Sequence, residues 1–293
     1  MRIVTALNNP PGATSTVDNP SLSKTGLSLL RYRKSITSLT AGEVSSLRTA
    51  VLGMLDRSDD RGFEYWAGIH GLPLPISCWH GSPLFLPWHR AYLYYFEQYL
   101  LDVMPPGASV SLPWWDWSTQ AGIPPSYRDP GLPDGTPNPL AAAPVSGIPD
   151  SQFTEENIPR VEQTFRTPGP SGPGHGSAGL PSALEVSAVM GLQDFEDFTI
   201  QLEDLHNRVH VWVGGTMSEI PVAAFDPLFW AHHAMIDRLW ALWQQAHPGA
   251  GVGPVPPGYP LGPFPSLNVS QVMSTTGLGY QYAAATSSAL PPT

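Results

Sequence analysis

The chain has 293 residues, 42% of them hydrophobic and only 13% charged, with a formal net charge of −10. That composition excludes a disordered protein, and fourteen basic residues that form no run exclude a phosphate-gripping nucleic-acid binder. One cysteine, Cys78, excludes an intramolecular disulfide framework, and no apolar stretch approaches the roughly 18 residues of a membrane span.

Residues 1–28 are rich in Pro, Ser and Asn and are expected to wrap the surface. They lack the apolar stretch of a signal peptide, which leaves the compartment open: cytoplasmic, or exported with a partner. Thr40-Ala41-Gly42-Glu43 reads as a capping box, with Val44, Leu47, Val51, Leu52 and Leu55 behind it at helical spacing, and predicts a helix over about 41–57. Residues 66–88 are punctuated by Gly and Pro and read as turns. A second helix, roughly 88–103, is apolar on nearly all sides and should be central. Residues 118–191 are dense in Pro and Gly, and loops this long are functional or disordered. A third helix is predicted over about 195–212. A fourth opens at Asp226-Pro227, an N-cap followed by proline at the first helical position, and runs to about Gln245. Asn268-Val269-Ser270 fits a glycosylation triplet, but such triplets are common by chance. The elements predict a mainly α fold, with a central four-helix bundle and long Pro/Gly-rich loops; bundle cores are common places for metal sites.

Seven of the nine histidines fall in two clusters: His70, His80 and His89, and His206, His210, His232 and His233. His206 and His210 stand at i and i+4, on a helix face shared with Leu202, Leu205, Val209 and Val213. Two stacked imidazoles there are either satisfied core residues or ligands to one metal; a third histidine on the next apolar helix favours the metal. His232 and His233 lie about 100° apart on their helix, and periodicity does not choose between them. His89 opens the second helix, whereas His70 and His80 read as loop residues. A lone thiol rules out Cys-rich zinc, and there is no His-Glu-x-x-His. Imidazole-only sites suit copper, zinc or iron; the absence of Glu-x-x-His pairs favours copper over di-iron.

Several segments carry a resemblance. Ile69-His70-Gly71-Leu72-Pro73, Cys78-Trp79-His80-Gly81 and Phe85-Leu86-Pro87-Trp88-His89-Arg90 look like a first copper-binding region. Leu205-His206-Asn207-Arg208-Val209-His210-Val211-Trp212-Val213-Gly214-Gly215, Phe225 through His233, and Asp237-Arg238-Leu239-Trp240 look like a second. Pro113-Trp114-Trp115-Asp116-Trp117 and Gly279-Tyr280-Gln281-Tyr282 complete the pattern. The sequence resembles the tyrosinase, catechol oxidase and molluscan hemocyanin family of coupled dicopper proteins, over about 31–282 within a single domain spanning 1–293.

The resemblance implies two copper ions, the first held by His70, His80 and His89, the second by His206, His210 and His233. His232 then stands behind the ligands, and His175 and His247 are left to solvent. It implies that Arg33 packs on the tyrosine motif and that Cys78 forms a thioether with His80. Asp226 and Asp237 could orient imidazoles, or could simply cap a helix and pair with Arg238. The implied reaction oxidises ortho-diphenols to ortho-quinones with O2, preceded by hydroxylation of monophenols. Asn207 would help to hold the water that takes the phenolic proton, with Glu162 a candidate acid partner. Ile220, thirteen residues before the last ligand, and Val211 would touch the substrate. The alternatives are an ortho-aminophenol oxidase, a catechol oxidase without hydroxylase activity, and an oxygen carrier. The chain ends eleven residues after Tyr282, so a form without a C-terminal shielding domain is expected. The implied partners are a phenolic small molecule and O2, with no nucleic acid, no membrane, and a small copper-loading helper protein as an open option.

Overall fold

The computed structural model describes residues 30–108, 110–169, 179–264 and 266–284. Strand β1 (Arg31–Arg33) leads into α1 (Ala41–Leu55). The capping box at its start is formed: Thr40 Oγ1 accepts from the Glu43 amide at 3.2 Å, and the Glu43 carboxylate accepts from the Thr40 amide at 2.8 Å. Then come α2 (Phe63–His70) and α3 (Phe85–Asp102), whose side chains are buried on almost every side, as its apolar composition predicts. Short helices α4 (Pro125–Arg128), α5 (Asp150–Glu155) and α6 (Ala183–Met190) interrupt the long irregular stretch. Helix α7 (Phe195–Val213) is capped by Asp194. Helix α8 (Pro227–Ala246) is capped by Asp226, whose carboxylate accepts from the Leu228 amide at 2.8 Å. Helix α9 (Val269–Val272) follows, with Asn268 spent as its N-cap. Strand β2 (Tyr280–Tyr282) then pairs in parallel with β1, Arg31 opposite Tyr280 and Arg33 opposite Tyr282.

The fold is mainly α, with the histidine clusters in its helical core. α3 lies at the centre and packs on α1, α7 and α8; α2 packs on the 3-10 turn Ala223–Phe225 that leads into α8. The α3–α8 contact is aromatic: the rings of Phe96 and Trp230 stack with centroids 3.4 Å apart. Truncating such a ring to alanine costs about 3–5 kcal/mol in a core.

Several helices depart from the expectation: α2, the three short helices α4, α5 and α6 inside the stretch read as loop, and α9. α2 occupies part of the segment read as turns, because Phe63, Trp66, Ala67 and His70 bury one helical face before Gly71 ends it. α6 lies inside the Pro/Gly-rich stretch and begins with a capping box, Ser182 to Glu185. His70 is therefore the last residue of a helix and not a loop residue. Among the described residues, no helix is long and apolar enough to cross a membrane.

Strands β1 and β2 are fastened to the helices by buried charge. Asp237 of α8 accepts from Arg90 Nε at 2.5 Å, Arg33 Nη1 at 3.2 Å, and the hydroxyls of Tyr280 and Tyr282 at 2.6 and 2.5 Å. Arg33 also donates to both oxygens of Glu97 at 3.1 and 3.0 Å, and its guanidinium lies 3.7 Å over the Tyr280 ring. Arg33 thus packs on the tyrosine motif as expected. Asp237, however, pairs with Arg90 and Arg33, not with Arg238, which instead lies 4.1 Å over the Trp114 ring. Removing one partner from a buried pair of this kind costs about 3–5 kcal/mol.

Candidate metal centre

Four helices and one loop deliver the seven clustered imidazoles. His70 closes α2, His89 stands in the second turn of α3, and His80 sits on the connection between them. His206 and His210 share a face of α7, and His232 and His233 lie in α8. In each group every member can offer an atom within 4.8 Å of the others.

Hydrogen bonds aim the rings. His70 Nδ1 faces the Ile220 carbonyl at 3.3 Å, His89 Nδ1 the Phe85 carbonyl at 2.7 Å, and His210 Nδ1 the Met217 carbonyl at 2.7 Å. A carbonyl only accepts, so each Nδ1 carries the proton and each Nε2 presents a lone pair. His206 Nδ1 faces Asn207 Oδ1 at 3.1 Å. The partners are carbonyls and an amide, not Asp226 or Asp237. Asp226 caps α8 and is gripped by Arg166, with Nε 2.8 Å from Oδ2 and Nη2 2.6 Å from Oδ1.

The Nε2 atoms converge. Those of His206, His210 and His233 lie 3.0, 3.1 and 3.3 Å from one another. Three bonds of about 2.0 Å to one ion would span such separations. Those of His70 and His89 are buried with no protein partner. Buried polar atoms left this way are costly, and a bound cation would satisfy them. The triads face each other, with His89 stacked on His233 at 4.7 Å and His80 on His206 at 5.8 Å. His232 is absent from the Nε2 convergence and stacks behind His206 at 5.1 Å. The closer Nε2 contacts belong to His233, although His232 too can offer an atom within 4.8 Å of His206 and His210.

Burial keeps the rings neutral. His80 and His210 are pushed down to about 4, and His70, His89, His206, His232 and His233 fall well below the ordinary imidazole range, burial being the largest cause throughout. Cys78 Sγ lies 3.4 Å from His80 Nδ1, and burial pushes its thiol up. On the outer side Asn207 and Val211 are half-buried, and Ile220 is 44% exposed. The loop carrying Ile220 is locked to α2: the Leu72 amide donates to the Pro221 carbonyl at 2.8 Å, and a Cβ at Gly71 would meet that oxygen at 2.1 Å.

One residue escaped the sequence reading. Glu203 of α7 is buried, and both its oxygens accept from the Gly81 amide at 2.8 and 3.0 Å, which ties the His80 loop to α7. Burial pushes its carboxyl up to about 7 against the pull of that N–H. Its position, three before His206 between the apolar Leu202 and Leu205, was the available signal. Glu162, in contrast, is exposed. His247 is half-buried: it stacks on Trp243 at 4.5 Å, and its Nδ1 faces that residue's carbonyl at 2.9 Å. His175 lies outside the described residues.

Residues 60–246 match the family model described as the common central domain of tyrosinase. The chain is 36% identical to a tyrosinase of Streptomyces galbus over 254 residues, which cover 77% of this chain and 87% of that protein. It is 31% identical to hemocyanin G-type, units Oda to Odg, of Enteroctopus dofleini over 254 residues, covering 80% of this chain but spanning 8% of that protein's length. A functional unit from octopus hemocyanin has a similar structure, with a TM-score of 0.70 at 27% identity over 87% of this chain and 68% of that one. The two histidine clusters fit the pair of copper ions bound in this group of proteins.

Proposed function

The chain belongs to the tyrosinase family, and from that premise we propose that it is a phenol oxidase that uses O2 to convert ortho-diphenols to ortho-quinones and hydroxylates monophenols. His70, His80 and His89 hold one copper, and His206, His210 and His233 the other. The copper pair supplies the O2-binding and two-electron redox chemistry. The chain supplies the rest. Carbonyls 220, 85 and 217 fix the tautomers of His70, His89 and His210, and the stacked rings exclude water from the inner side. Ile220 and Val211 offer an apolar rim for an aromatic ring. Asn207, with its Oδ1 turned to His206, has its amide group left to hold a water that takes the phenolic proton. The acid that shares this task is Glu203, one helical turn before Asn207, in place of the exposed Glu162.

The observation that carries an enzyme reading is the half-open outer side. Asn207, His210 and Val211 are half-buried and Ile220 is exposed, so a phenol can approach between them. The hemocyanin likeness keeps an oxygen carrier as the second reading. Oxygen uptake by copper-loaded protein with tyrosine, catechol and ortho-aminophenol decides. Turnover of catechol and tyrosine is expected. Uptake with ortho-aminophenol alone points to an aminophenol oxidase, and reversible O2 binding without turnover overturns the oxidase reading.

Cys78 Sγ bonds to a carbon of the His80 ring in the mature protein, O2 serving as the two-electron oxidant that takes up both hydrogens, supported by the 3.4 Å approach of sulfur to Nδ1. Intact mass should show the loss of two hydrogens, and an unchanged mass removes the cross-link.

A further inference from the structure

A line of oxidisable rings leads from the first triad to the surface, and the phenol reaction does not use it. The indole of Trp88 lies 4.9 Å from His89, centroid to centroid. Tyr92 lies 5.0 Å from Trp88 and stacks on His70 at 6.2 Å. Trp66 lies 6.4 Å beyond Tyr92, whose hydroxyl donates to the Trp66 carbonyl. Tyr65 lies 5.7 Å from Trp66; Tyr99 and Tyr95 also stack on Trp66, at 5.2 and 5.8 Å, but are at most 5% exposed, so Tyr65 is the branch that reaches the surface. Trp88, Tyr92 and Trp66 are at most 2% exposed, whereas Tyr65 is 40% exposed.

Hydrogen bonds account for Trp88, whose Nε1 donates to the Gly262 carbonyl at 2.8 Å, and for Tyr92, but not for Trp66. Phe63, Phe96 and Phe229 fill neighbouring positions of the same core. The buried Trp66 Nε1, like those of Trp114, Trp115, Trp117 and Trp230, has no hydrogen-bond partner, a cost of about 1–3 kcal/mol that phenylalanine would avoid; Trp66 alone of these lies on the path from Tyr92 to Tyr65. Indole and phenol give up an electron far more readily than benzene. Tunnelling falls exponentially with distance, so short steps between touching rings outrun one long jump.

We propose that Tyr65, Trp66, Tyr92 and Trp88 form an electron relay that discharges the copper site when oxidant forms there with no phenol bound. The proposal rests on the oxidase reading above. Tyr65 gives one electron inward through Trp66, Tyr92 and Trp88, and its hydroxyl proton to water, becoming a neutral phenoxyl radical. Two such electrons, with Tyr65 re-reduced between them, and two protons from water convert one hydrogen peroxide at the site to two waters. A phenol or other one-electron reductant in solution then restores Tyr65. The three interior rings pass electrons and undergo no net change. Without them the oxidant would be quenched on the nearest protein groups, the ligands His70 and His89.

The test treats copper-loaded protein with hydrogen peroxide and a nitroso spin trap, without phenol, and maps the products by peptide mass spectrometry. The trap should mark Tyr65 and spare Tyr32, which is more exposed at 51% but stands outside the line. Trp66→Phe and Tyr92→Phe should each cut the Tyr65 adduct by about tenfold, as a modest added barrier does, while oxygen addition at His70 and His89 rises. Tyr65→Phe, a surface change, should raise the same histidine damage without disturbing the core. Equal marking of Tyr32 and Tyr65, an unchanged adduct in both interior variants, or no rise in histidine damage in Tyr65→Phe overturns the relay. Catechol turnover by the wild type is measured beside it. Loss of that turnover counts against the oxidase reading alone, because peroxide supplies the relay's oxidant directly.

Discussion

His210 shows how one residue becomes a ligand: the Met217 carbonyl takes its Nδ1 proton and burial keeps the ring neutral, so its Nε2 meets those of His206 and His233 with a lone pair. His210→Ala should lower bound copper from two ions per chain to one and reduce catechol turnover by at least about a hundredfold, comparable with the loss of a catalytic donor; metal analysis and oxygen uptake check both. The depressed imidazoles also set a pH dependence. In the metal-free protein seven histidines bind fewer protons when folded than when unfolded. Stability is therefore complete above the ordinary imidazole value, about 6.5, and is lost as pH falls toward about 4, where His80 and His210 titrate. Glu203, raised to about 7, acts in the opposite sense, losing its contribution as pH rises through that value, but it is one group against seven. Thermal melts of metal-free protein should show a midpoint falling between pH 6.5 and 4; a flat profile contradicts the buried neutral cluster. The histidine clusters were legible in the sequence. The choice between His232 and His233 was not, because neighbours on a helix differ only by a rotation that packing fixes. Glu203 was obscured because a lone acid on an apolar face reads as a stray surface charge until Gly81 is brought to it.

At the scale of elements, the strong helix-start signals held. Thr40, Asp226 and the proline after Asp226 stand where capping chemistry demands. Helix α8 carries His233, so its first turn bears directly on the site. Asp226→Ala removes a cap worth about 1 kcal/mol and the charge-assisted hydrogen bonds to Arg166, which keeps the Tyr127 and Leu140 carbonyls, for a total loss of about 2–4 kcal/mol. Urea unfolding should show this, whereas Asp226→Asn, which keeps the cap and loses the ion pair, should fall between. Helix α2 was missed because eight residues carry too short a period to stand out before a run of Gly and Pro. Its face is made helical by what it packs on, the turn before α8, and that partner lies more than 150 residues away in sequence.

Across the whole molecule, the parallel pairing of β1 with β2 and the Asp237 hub hold the two ends of the described chain against α3 and α8, the helices that carry His89 and His233. Burial pushes the Asp237 carboxyl up, but Arg90 and Arg33 outweigh it and hold it below the usual range. Asp237→Ala should destabilise by about 3–5 kcal/mol, read as a lower denaturation midpoint. The mainly α architecture was legible from apolar periodicity and capping. The path of residues 118–191 was not, since chains rich in Pro and Gly are placed by distant contacts such as Arg166 on Asp226. The measurement that bears most directly on all of this is copper content after reconstitution, taken on the wild type and on His89→Ala and His233→Ala. Two ions per chain, falling to one in either variant, is the predicted result. One ion or fewer in the wild type, or no change in the variants, would contradict two facing triads of imidazole nitrogens.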